Sequence, residues 1–379
     1  MNTDDIIKQG LCSIPWLHTE INLQVNQVRP CCKYTGSMGT PAELSTAWHS
    51  KEYTALRNSM ASGTLPPACS ACDVPNTVFS YKTYKNSVYK TQYNIPLEPV
   101  QMPKVVHITL KNTCNLSCRM CHPMSSSKLH EVSKRSPYLM DFYGHINVNN
   151  KFDIESLRSS FSNVAHITIT GGEPLIDEDC YTLITMIRET SPNLRSISFS
   201  TNMTRFNPRL LSALETLPKY IKITFNISID GPKAIHNYIR YGFNWDTLVD
   251  NIRQVKHIAR SFGINSTISA MNVGYLPELI AELRRLETDA GIKFTHIMST
   301  PVLESHLHAN CVPLVARAGY LEKLKAHTDF GITGSQVIIS TAIDVLNQTL
   351  GDTGSMLKFL GEFDKVADTD YTTVYPEWS

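Results

Sequence analysis

No uncharged apolar run in the 379-residue chain is long enough to cross a bilayer, so a long apolar membrane-spanning helix is excluded. A surplus of one charge sign is also missing. Lys plus Arg (35) nearly cancels Asp plus Glu (34), and the formal +1 leaves no bulk electrostatic case for a nucleic-acid polymer or a polybasic membrane anchor. There is no repeat of solenoid type and no low-complexity tract, and a composition 42% hydrophobic and 18% charged excludes disorder. The opening MNTDDIIKQG carries two acids before any apolar stretch, which argues for a soluble cytoplasmic protein. Ten cysteines are too few for a disulfide scaffold of this size. Eight of the ten fall before position 122, however, and that skew points to metal.

From Val105 to Thr300, short β-branched runs alternate with helix-period segments about thirty residues apart, the pattern of repeated βα units. Six strands are predicted: VVHITL (105–110), VAHITIT (164–170), SISFST (196–201), IKITFNISI (221–229), INSTISA (264–270) and FTHIMST (294–300). Most read as apolar on both faces, as strands covered by helices should be. The intervening helices carry one-sided stripes, Leu248, Ile252, Val255 and Ile258 in one and Leu276, Leu279, Ile280, Leu283 and Leu286 in another. Parallel strands with right-handed crossovers follow. Six units fall short of the eight that close a full barrel, so the prediction is an α/β fold, an open partial (β/α)6 barrel with its site at the strands' C-terminal ends.

Residues 1–95 lack this rhythm and hold Cys12, Cys31, Cys32, Cys69 and Cys72 among turn residues, which suggests a small module held by metal. Residues 96–312 make the barrel, with Pro96 to Pro103 as the linker. Residues 313–379 read as a helical extension ending in YPEWS.

The first barrel strand runs directly into KNTCNLSCRMCHP, placing Cys114, Cys118 and Cys121 in a C-x3-C-x2-C triplet at the sheet's catalytic edge. Three cysteines on a cubane iron–sulfur cluster leave one iron open for a chelating molecule. A structural zinc site of the same thiols with His122 is the alternative, although zinc-site cysteines usually come as paired knuckles. The second strand ends in Gly171, Gly172 and Glu173, where glycines allow close approach to the backbone. The third ends in Ser200-Thr201-Asn202. The fourth gives Ser228-Ile229-Asp230-Gly231-Pro232, then His236, Asn237 and Arg240, whose forked guanidinium suits a carboxylate.

Together these segments resemble the radical S-adenosylmethionine (radical SAM) superfamily. The resemblance implies a [4Fe-4S] cluster on Cys114, Cys118 and Cys121, with SAM bound to the open iron through its amino and carboxylate groups. It implies that Gly171, Gly172 and Glu173 receive the SAM amino group, and that Asn202, Ser228 and Arg240 contact SAM, Arg240 through the carboxylate. Asp230 has only a turn role on this reading, and Asn272 is a weaker contact. Met203 stands where a glycine usually follows the STN segment, and Met120 where an aromatic residue often precedes the last cysteine.

Cys12, Cys31, Cys69 and Cys72 resemble the ligands of the twitch module, a shortened relative of the SPASM extension that carries an auxiliary iron–sulfur cluster. Cys31 is preferred to Cys32 because Asn26, five residues earlier, tolerates a left-handed turn. Here the module precedes the barrel, whereas in the family it usually follows. A zinc knuckle on Cys69 and Cys72 is the alternative.

The resemblance implies reductive cleavage of SAM to methionine and a 5′-deoxyadenosyl radical that takes a hydrogen atom from substrate, with a flavodoxin or ferredoxin as electron donor. A peptide or protein is the preferred substrate. A small metabolite or nucleotide is the second reading, and a non-catalytic metal-binding protein the third. Cys180 lies in step with Leu183, Ile184 and Ile187 and reads as core. Cys311, Glu304, His306 and His308 follow the sixth strand, where such residues are solvated or handle substrate.

Overall fold

A computed structural model describes residues 12–72, 101–147, 152–302 and 304–378. Most of the linker at Pro96 to Pro103, and the 95/96 boundary with it, lies outside the described residues. The strands are β1 (His18–Asn22), β2 (Gln27–Arg29), β3 (Val105–Thr109), β4 (Ser117–Cys118), β5 (His166–Thr170), β6 (Ser196–Thr201), β7 (Lys222–Ser228), β8 (Arg240–Tyr241), β9 (Ala259–Ile268) and β10 (Phe294–Pro301). Eight of them form one sheet in the order β10-β9-β7-β6-β5-β3-β1-β2, parallel except for β2, while β4 and β8 make a separate antiparallel pair. This is the α/β partial barrel that the periodicity predicts, followed by helices. Strand β9 starts at Ala259, earlier than expected, and the helix Asp246–Val255 accordingly stops short of Ile258.

The two faces of the barrel strands differ, contrary to the reading of apolar residues on both sides. One face carries Val106 and Ile108, Ile167 and Ile169, Ile197 and Phe199, Ile223, Phe225 and Ile227, all buried. Each such side chain taken from water contributes about 1.5–3 kcal/mol. The other face is polar: the register aligns His107, Thr168, Ser198, Thr224 and Ser261 across five strands, and Asn226 with Ser200 and Gly263 above them. These groups bond one another, His166 with Ser196 (2.6 Å), Asn226 with Ser198 (2.9 Å) and Asn265 with Ser200 (3.2 Å). The physical reason is curvature, since helices cover only the convex face of a partial barrel and the concave face needs hydrogen-bonding side chains.

Burial holds the His166 imidazole down to about 4, with Lys222 and Arg195 adding to the shift, and it lowers His306 to about 4 as well. Their folded values lie below the unfolded one of about 6.5, so the unfolded chain binds more protons between these limits. The stability these residues confer is complete above about pH 6.5 and is lost as the pH falls toward 4. Denaturant titrations of metal-free protein at about pH 7.5 and about pH 5 should show this loss, and His166→Gln should reduce it.

The segment before the barrel is tied to the sheet. Strand β1 lies parallel to β3, with Glu20 opposite His107 and Asn22 opposite Thr109. Asn26 turns the β1–β2 hairpin at φ 53°, the left-handed conformation its amide tolerates. The segment also has a core of its own, in which Ile14, Trp16, Leu17, Met38, Trp48, Tyr53, Leu56 and Met60 pack together. Arg57 is buried there, donating to the carbonyls of Pro15 and Trp48 at 2.9 Å each. Metal is therefore not its sole means of cohesion, as the sparse apolar runs had suggested.

Beyond the barrel lie helices Leu314–Ala326, Ser335–Leu346 and Thr353–Ala367. The tail folds back, Tyr375 stacking on Trp378 at 4.0 Å while Glu377 accepts from the hydroxyls of Tyr275 and Tyr320. Among the described residues no helix is long and apolar enough to cross a membrane.

Candidate active site

The loop after β3 gathers Cys114, Cys118 and Cys121 at the C-terminal edge of the sheet, Cys118 buried and the other two partly so. Cys118 raises the proton affinity of Cys114, and both raise that of Cys121, but burial is the larger cause. It pushes Cys114 up to about 12 and raises Cys118 and Cys121, while the Arg240 guanidinium offsets part of the effect on Cys118. Thiolates in such a place need a cation to hold their charge, and binding a metal releases their protons. A single tetrahedral zinc would need its sulfurs about 3.8 Å apart. Among the described residues no three Cys, His, Asp or Glu side chains are so drawn around one ion. Three soft donors on one loop suit an iron–sulfur cluster, in which three cysteines leave one iron open.

Gly171 and Gly172 fit tightly against this loop. Gly171 has φ +147°, and a Cβ on Gly172 would lie 2.2 Å from the Thr113 carbonyl oxygen. Gly172 N–H donates to the Lys111 carbonyl (3.0 Å) and Glu173 N–H to that of Thr113 (2.7 Å). Gly172→Ala should therefore displace the backbone beside Cys114 and destabilise the fold, overpacking of this kind costing about 1–3 kcal/mol. The denaturation midpoint of the metal-free protein would measure it.

Glu173 turns inward, where burial pushes its carboxyl up to about 7. The carboxylate accepts from Asn202 N–H (2.6 Å), Thr201 Oγ1 (2.7 Å) and Leu175 N–H (3.0 Å), joining the second and third strand tips. Asn202 donates to Asn115 Oδ1 (3.1 Å), and Asn115 donates to Thr204 Oγ1 (2.8 Å). Met203 adopts φ 56°, so the residue standing in place of glycine keeps a glycine-like conformation.

Strand β8 pairs Arg240 with Cys118 in β4, fixing this cation beside the triplet. Its Nε donates to Asp230 Oδ2 (2.6 Å) and its Nη1 approaches Cys118 Sγ (3.8 Å). Asp230 is fully buried and also accepts from Thr267 N–H (2.8 Å), so it orients Arg240 as well as shaping the turn. Ser228 stands half-buried at the tip of β7. Both amide hydrogens of Asn272 are spent, on the carbonyls of Asp230 (2.7 Å) and Thr267 (2.8 Å), which makes it a brace between loops rather than a cofactor contact.

Sequence reasoning missed Tyr143. Its hydroxyl and His306 Nε2 are buried without a hydrogen-bond partner among the described residues. Burial raises the proton affinity of the Tyr143 hydroxyl, the Cys121 and Glu304 charges raise it further, and Phe142 lies against His306 at 4.7 Å. His308 caps the short turn Ala309–Cys311, its Nδ1 accepting from Asn310 N–H at 3.4 Å, and Cys311 is buried.

In the segment before the barrel the Cys12 thiol feels the charges of Cys31, Cys69 and Cys72, although among the described residues the four do not close around one ion. Burial pushes Cys31 up to about 12 and Cys69 up to about 11. Cys32 is exposed, and Cys180 is buried in the helix Glu178–Thr190.

Residues 108–290 match the family model of the Radical SAM superfamily. The chain is 25% identical over 197 residues to the GTP 3′,8-cyclase of Aquifex aeolicus (strain VF5), covering 51% of this chain and 56% of that protein. Among solved structures it is similar to native anSMEcpe with bound AdoMet and Kp18Cys peptide (21% identity, TM-score 0.37, 53% of this chain and 52% of that one). It is also similar to Streptococcus suis SuiB bound to precursor peptide SuiA (15% identity, TM-score 0.38, 86% of this chain and 64% of that one). The chain thus spans just over half the length of the curated relative.

Proposed function

We propose, for a chain whose residues 108–290 form a radical SAM superfamily domain, that the protein is an enzyme that cleaves SAM reductively and takes a hydrogen atom from a peptide or protein side chain. The observation that carries this reading is the grouping of the Cys114, Cys118 and Cys121 thiols at the C-terminal edge of a partial barrel, beside the half-buried Arg240. When bound, a [4Fe-4S] cluster and SAM supply the electron and the carbon radical.

This chain's residues do the rest. The three thiolates hold the cluster, and the packed turn at Gly171 and Gly172 brings backbone to the SAM amino group. Arg240, with Nε on Asp230, has Nη2 left for the SAM carboxylate, and Ser228 lies nearby. Glu173 and Asn202 keep the strand tips in register. Cys12, Cys31, Cys69 and Cys72 would hold an auxiliary iron–sulfur cluster of the twitch or SPASM kind, which would supply an acceptor for the substrate's electron, and a flavodoxin or ferredoxin would be the electron donor.

The peptide reading rests on the Ser228 to Arg240 segment combined with the second group of thiols. A partner peptide labelled with deuterium should pass the label into 5′-deoxyadenosine, with a matching mass change in the peptide. Turnover of a free nucleotide without label transfer from any candidate peptide would move the substrate to the second reading, which the similarity to a GTP cyclase favours.

A further inference from the structure

Arg119 lies between Cys118 and Cys121, yet it is only 1% exposed. A guanidinium taken out of water is costly unless its charge and donors are met. Its Nη2 donates to Asp364 Oδ1 and Thr369 Oγ1, both at 2.6 Å, and its Nη1 donates to the Tyr238 carbonyl. Its Nε has no hydrogen-bond partner among the described residues. The Tyr238 ring covers the guanidinium at 3.6 Å and the Phe363 ring at 4.6 Å.

Asp364 is held from several sides. Its Oδ1 also accepts from Thr369 Oγ1 (2.7 Å), and its Oδ2 accepts from Tyr371 N–H (2.7 Å) and the Tyr238 hydroxyl (3.1 Å). The loop backbone is anchored on another side, where Arg119 N–H donates to the Ile239 carbonyl at 2.8 Å. The thiol loop is thereby clamped between the end of the helix Lys233–Ile239 and the helix Thr353–Ala367.

The geometry points to Arg119 as a positioning residue that sets the place of Cys118 and Cys121 by tying their loop to Asp364, which makes the C-terminal helix part of the cluster site although it lies outside residues 108–290. This rests on the cluster reading above. Without Asp364 the guanidinium must seek water, and the segment between the two cysteines moves with it.

Asp364→Asn and Asp364→Ala test this. In metal-free protein, amide exchange in residues 114–122 should rise about tenfold or more. After anaerobic reconstitution, iron at the triplet per folded chain should fall by more than half, and the reduced cluster's electron paramagnetic resonance signal should change shape. Arg119→Lys, which keeps the charge, should retain more of each than Arg119→Met. Loop exchange equal to wild type, with full iron and an unaltered signal in the folded fraction, would overturn the proposal, since a role in stability alone predicts that result. If the wild-type triplet takes up zinc and no iron, the cluster reading fails, and the exchange measurement on metal-free chain still decides the role of Arg119.

Discussion

Protein with Cys114, Cys118 and Cys121 all changed to alanine should yield no 5′-deoxyadenosine from SAM and dithionite, against robust formation by anaerobically reconstituted wild type. On the proposed reading the three thiolates would hold the cluster, so losing them would leave the metal nothing to bind at this end of the barrel. Neither later cysteine can replace them: Cys180 is buried in a helix, and Cys311 is buried with its Sγ near the Ser305 carbonyl (3.4 Å). The fold should survive, because the three side chains are a small part of an apolar core that runs the length of the sheet. Full SAM cleavage in the folded triple variant would defeat the assignment.

Iron in wild type should approach about eight atoms per chain, and Cys69→Ala with Cys72→Ala should reduce it to about four. The remaining iron should still support SAM cleavage, while product formation from the true substrate stops. The segment's own core around Trp48 and Tyr53 should keep it folded, so the loss is read from metal and product and not from unfolding. Zinc at this site in wild type, with iron only at the triplet, would exclude the auxiliary cluster.

The barrel was legible because βα periodicity survives in the residue types, and the triplet because three cysteines at short spacing have few other uses. The polar concave face was legible in principle, since HITIT and SISFST alternate strictly, but the β-branched threonines made the strands look apolar throughout. Arg119 gave no signal. A charge between two cysteines reads as solvated, and its partner Asp364 stands 245 residues away. Asp230 looked like a turn residue for the same reason, its role depending on a strand pairing that brings Arg240 back to it.

Strand β1 shields the barrel as well as lengthening its sheet. By pairing with β3 it occupies the row of backbone donors and acceptors just upstream of the thiol loop, and the short β2, bridged through Val28 to Gly39, closes the side beyond. A chain cut before residue 101 would expose that row to other chains, as an unprotected template for sheet growth. The segment that precedes the barrel is therefore also its guard against self-association.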